Sequence, residues 1–78
     1  MCDGLKVLIC SDVEYDKLIA EIYHHDRYVA LISKEDGPNQ LAVEFPGPGM
    51  NEDVVTRKVD LVWLEAALAA ARRKLIGE

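Results

Sequence analysis

Leu18-Ile19-Ala20-Glu21-Ile22-Tyr23-His24-His25-Asp26-Arg27-Tyr28-Val29-Ala30-Leu31-Ile32-Ser33 is the stretch that decides the fold. In an extended chain successive side chains point to opposite sides, so Leu18, Ala20 and Ile22 share one face and Ile19, Glu21 and Tyr23 the other. His25-Asp26-Arg27 offers a tight reversal, and residues 28–33 are dense in β-favouring side chains. The stretch reads as an antiparallel hairpin. A competing reading starts at Ser11, which with Glu14 three residues on has the form of a capping box opening a helix through Tyr23. The alternation favours a loop followed by a strand.

Outward from the hairpin, Leu5-Lys6-Val7-Leu8-Ile9-Cys10 is a short apolar run ended by Ser11-Asp12, the pattern of a first, central strand. On the other side, Glu35-Asp36-Gly37-Pro38-Asn39 is rich in turn formers, and Leu41, Val43 and Phe45 then alternate with Ala42 and Glu44 as a third paired strand. Pro46-Gly47-Pro48-Gly49 breaks the sheet, because proline has no amide donor and glycine favours turn dihedrals. Val54-Val55-Thr56-Arg57-Lys58 leans towards a short edge strand. Asp60 is placed to cap a helix, with Val59 and Leu64 positioned as a hydrophobic staple and Arg72-Arg73-Lys74 at the negative end of the dipole before Gly77. Leu61, Leu64, Leu68, Ala71 and Leu75 form the stripe expected to lie on the sheet. The fold class that follows is α+β: an antiparallel meander of four to five strands packed by one long C-terminal helix.

With 78 residues the chain has room for one domain, 1–78, and little core to spare for a deep cavity. Half the residues are apolar and 29% are charged, the balance of a globular domain rather than a disordered tail. Lys6, Lys17, Glu21, Arg27 and Lys34 interrupt every apolar run well short of the ~20 residues that span a bilayer. Asp3 stands where a secretory signal carries positive charge, so a cytoplasmic location without membrane attachment is expected. In that reducing compartment a Cys2–Cys10 disulfide is not expected.

The net charge is −5, with eleven acidic against four basic residues in 1–55 and three against five in 56–78. Such a surface suits a basic protein partner and not nucleic acid, whose phosphates need clustered Lys and Arg. Catalysis would have to draw on His24, His25, Ser33 or the carboxylates of Glu14, Glu21, Glu35 and Glu44, none of them in a motif. Adjacent residues such as His25 and Asp26 in a tight turn point apart and into water rather than acting as base and orienter. Gly37, Gly47 and Gly49 are followed by no Lys-Ser or Lys-Thr and read as turn punctuation, not a phosphate loop. The two cysteines and the adjacent His24 and His25 lack zinc-ligand spacing, so neither metal nor other cofactor is expected. Trp63, in the first helical turn, is either core packing or a contact for a partner.

Recognition is expected at Asp12, Glu14, Tyr15 and Asp16, where an aromatic anchor is flanked by acids that steer a basic cleft, and at the acidic loop of Glu35 and Asp36. Glu52-Asp53 is a further acidic loop end. A non-catalytic protein-binding role follows, with self-association through a sheet edge as the alternative.

Ala20-Glu21-Ile22-Tyr23, a short turn, residues 28–33 with Glu35 and Gly37, Glu44-Phe45-Pro46, and Val59-Asp60-Leu61 with Trp63 and the closing helix together resemble small bacterial immunity proteins of contact-dependent growth inhibition and related polymorphic toxin systems. The resemblance covers most of the chain. It implies a protein that occupies the active-site cleft, or a nearby surface, of a toxin domain, often a nuclease, inside the cell that makes both. It assigns no individual residue, because contact positions in such proteins are particular to each cognate pair.

Overall fold

The computed structural model describes residues 4–11, 17–35, 37, 39–47 and 53–77. Within them the α+β meander forms as β1 (Leu5–Cys10), β2 (Ile19–His24), β3 (Arg27–Ser33), β4 (Ala42–Glu44) and α1 (Leu61–Ile76). The strands are antiparallel in the order β1-β2-β3-β4, and α1 packs over β1, β2 and β3. β1 is therefore an edge strand, not a central one. Residues 19–24 are extended, so the alternation of β2 holds and a helix running through Tyr23 does not form; Glu14 of the capping-box pattern lies outside the described residues. The expected recognition segment 12–16, with Asp36, lies outside the described residues.

β2 and β3 meet through His25 and Asp26, whose φ values of 50° and 68° make a two-residue left-handed turn. That backbone twist matches the twist of the flanking strands, which is why short hairpins use it. Register is regular from Ile19 opposite Ser33 to Ile22 opposite Ala30, then shifts so that Tyr23 faces Tyr28. The extra residue in β3 is Val29. This bulge keeps Val29 and Ala30 both in the core with Ile22, and turns Tyr28 to the far face beside Tyr23.

The core lies between the sheet and α1. Ala20, Ile22, Ala30 and Ile32 meet Trp63, Ala67, Ala71 and Leu75, all at most 7% exposed. The expected helix stripe holds at Ala71 and Leu75 and is corrected nearer the helix start. Leu64 and Leu68 pack at its margin, and Leu61 is 69% exposed. The sheet offers two alanines beneath the helix, so the helix is turned to set its own small side chains, Ala67 and Ala71, against them. Leucines in the centre would hold the layers further apart.

Both helix ends are closed by local chemistry. Asp60 has extended dihedrals and its carboxylate accepts from the Trp63 N–H at 3.1 Å, as the capping pattern requires. Val59 and Leu64, the staple pair, both pack against the core. At the other end Gly77 takes φ 79° and donates to the Arg73 carbonyl. Lys34, just past β3, adds a long-range bond from its Nζ to the Leu75 carbonyl at 3.0 Å, placing positive charge at the negative end of the dipole.

The third paired strand is shorter than its alternation implies. β4 spans Ala42–Glu44, all exposed, and Val43 and Phe45 stand 40% and 67% exposed instead of entering the core. Pro46 supplies no amide to continue the ladder, and α1 does not reach over β4. The expected edge strand at residues 54–58 is a single parallel bridge between Val55 and Tyr28. Tyr28 donates to the Val54 carbonyl and accepts from the Thr56 N–H, each at 2.8 Å. β4 and this bridge thus divide the outer edge of β3 between them.

Candidate functional site

Strand pairing sorts the side chains into two faces, because residues directly opposite one another share a side. α1 covers one. On the other, Lys6, Leu8 and Cys10 of β1 lie opposite Tyr23, Glu21 and Ile19 of β2, followed by Tyr28, Leu31 and Ser33 of β3 and by Glu44 of β4. Glu21 is at the centre of this face. Tyr23 donates its hydroxyl to Glu21 Oε1 at 3.1 Å, and the Tyr28 ring meets Tyr23 edge-on with centroids 5.7 Å apart.

Burial first, then the bond to Glu21 and the charge of its carboxylate, push the Tyr23 phenol above its ordinary range; Cys10 adds in the same direction. Tyr23 therefore stays a neutral donor. Glu21, Tyr23, Tyr28 and Leu31 are half-buried, while Leu8 is 39% exposed. Two rigid aromatic rings beside aliphatic surface and a carboxylate form the kind of patch in which proteins anchor partners.

Of the expected recognition residues, Glu35 is described. It lies just beyond the Ile19–Ser33 end of the hairpin, half-buried, and its Oε2 accepts from the backbone N–H of Lys17 at 3.0 Å. This bond ties Lys17, just ahead of β2, to Glu35, just past β3, although the two are 18 positions apart in sequence.

Of the residues considered for catalysis, Glu14 lies outside the described residues, and His24 and His25 lie far from Ser33 and Glu44. His24 meets the His25 and Trp63 rings edge-on, with centroids 4.4 and 4.5 Å away, at the turn end of the hairpin. Ser33 is buried at the opposite end, five residues along the ladder or roughly 17 Å away at strand spacing. Glu44 is exposed at the end of β4. Among the described residues, no three His, Cys, Asp or Glu side chains gather as metal ligands. No helix of the described residues is long and apolar enough to cross a membrane. Trp63 proves to be core packing, 7% exposed.

Sequence reasoning placed Glu21 and Tyr23 on a common face but drew no site from it. Tyr28 could not be assigned to that face without the bulge. No protein family, no curated protein and no solved structure matches this chain.

Proposed function

We propose that this protein is a binding protein of the immunity type, which neutralises a basic toxin domain by covering it with the tyrosine and acid face of the sheet, with Glu35 at its end. The observation that carries the reading is the Glu21–Tyr23 pair, with Tyr28 edge-on, at the centre of the sheet face turned away from α1. Tyrosines give large contact area at low entropic cost, and carboxylates around them steer a positively charged partner into register. A nuclease keeps such a positive surface for phosphate. The acid excess of residues 1–55 and the resemblance to immunity proteins support the same reading.

The test is capture of a tagged chain from the cells that make it, at low and raised salt, followed by binding with purified components. One stoichiometric basic protein is expected, released by salt and weakened at least tenfold by Glu21→Lys, with smaller losses for Tyr28→Ala. A partner that binds Glu21→Lys as tightly as the wild type sinks the proposed surface.

A second reading rests on β1. It is a six-residue edge strand with one charged residue, Lys6, and Leu8 and Ile9 are each 39% exposed. Such an edge suits pairing with a second copy. Light scattering decides: a salt-insensitive dimer dispersed by Leu8→Lys favours self-association, and a monomer at all concentrations removes it.

A further inference from the structure

Where β4 ends and the chain turns into α1, a groove of about 450 Å³ opens on the side of the molecule away from the Glu35 corner. Its lining includes Val29, Val59 and Leu64, which pack in the core, and Phe45, which stands 67% exposed. The bulge makes the groove possible, since it keeps Val29 directed inward beneath it. The volume is in the range of sites that take a large side chain.

The charge here is opposite in sign to the acid excess of residues 1–55. Arg57 and Lys58 line the groove, and Arg57 Nη2 is fixed by a 3.0 Å bond to the Gly47 carbonyl. The positive end of the α1 dipole lies alongside, with no acid in the first helical turn; the Asp60 cap offsets part of that potential. In a chain of net charge −5 the groove's lining carries two basic side chains on apolar walls and no acidic one.

We propose that the groove docks an acidic segment of a partner protein that inserts one large apolar side chain between Phe45 and Leu64. The apolar walls take the side chain, Lys58 takes a flanking carboxylate, and Arg57, held on the Gly47 carbonyl, adds positive charge to the rim. The segment that carries Arg57 and Lys58 is held in place beforehand by the two bonds of Tyr28 to Val54 and Thr56, so little ordering is required on binding. This inference does not depend on the immunity reading, which uses the opposite charge on another surface.

Two synthetic peptides test it by amide chemical-shift mapping on the isotope-labelled full chain: a Leu-Phe core flanked by Asp and Glu, and the same core flanked by Lys. The acidic peptide is expected to move the amides of Val29, Phe45, Lys58, Val59 and Leu64. It should bind at least about tenfold more tightly than the lysine version, which corresponds to about 1.4 kcal/mol. Lys58→Glu and Phe45→Ser alter exposed side chains, and each should weaken binding about tenfold while the circular dichroism stays unchanged. Equal binding of the two peptides, shifts confined to the Glu21–Tyr23 face, or groove amides that move with protein concentration alone would each overturn the proposal. The last of these would assign the groove to a second copy of the chain.

Discussion

The imidazole of His24 meets the indole of Trp63 edge-on, with ring centroids 4.5 Å apart and planes inclined by 77°. One residue ends the central hairpin strand and the other fills the first turn of the helix, so this contact ties the two layers together where the alanine packing stops. Trp63→Ala is expected to cost about 3–5 kcal/mol, the range for large aromatic truncations in a core. A double-mutant cycle with His24→Ala should show a coupling of about 0.5–1.5 kcal/mol in urea denaturation. Additive losses would mean that the rings touch without mutual stabilisation.

Ala67 and Ala71 are fully buried against a sheet that itself presents Ala20 and Ala30. Ala67→Leu should therefore destabilise by about 1–3 kcal/mol through overpacking. Leu61→Ala, at a 69% exposed position on the same helix, should change stability by less than about 0.5 kcal/mol. Thermal melts of the two variants distinguish this helix orientation from one centred on the leucines.

Asp26 holds φ 68° in the hairpin turn, a conformation that disfavours any side chain with a Cβ. Asp26→Gly is expected to raise stability by about 0.5–1 kcal/mol, since glycine is the preferred second residue of this turn. Gly4→Ala should do the reverse. Gly4 has φ 75°, and a Cβ there would sit 2.6 Å from the His25 ring. Denaturant midpoints of the two variants should move in opposite directions.

Tyr23 loses its proton above the ordinary phenol range. The folded chain holds that proton to higher pH than the unfolded chain does, so this contribution is complete below the unfolded-state value and is lost as pH rises through the folded-state value. Tyrosinate absorbance should show Tyr23 ionising above the ordinary phenol range, and Glu21→Gln should bring it down. If its titration is unmoved by Glu21→Gln, the carboxylate is not what holds the proton.

The parts of this fold that depend on neighbours in sequence were legible, and those that depend on distant residues were not. Alternation from Ile19 to Tyr23, the His25-Asp26 reversal and the Asp60 cap are local signals, and each marks the element it implies. The rotation of α1 is set by Ala20 and Ala30 across the layer, about which the helix sequence carries no information. The bulge at Val29 leaves no local mark either, because Val29 and Ala30 suit a core equally well in either register. For the candidate site, alternation was enough to group Glu21 with Tyr23, but Tyr28 joins them only through that bulge. The basic groove joins Val29 to residues up to 35 positions later in the chain, a separation that no sequence window spans.

The divided outer edge of β3 has a consequence for how the chain can change length. Glu44 pairs with Leu31, and Val55 with Tyr28, so the connection between them leaves and rejoins the same strand three positions apart. Both feet of that excursion take their register from β3. Loop-closure entropy grows slowly, by about 0.6 kcal/mol for each doubling of chain length. Residues inserted between Gly47 and Asp53 should therefore leave the meander unshifted, so this connection is the place where the molecule can grow a new extension without renegotiating its architecture.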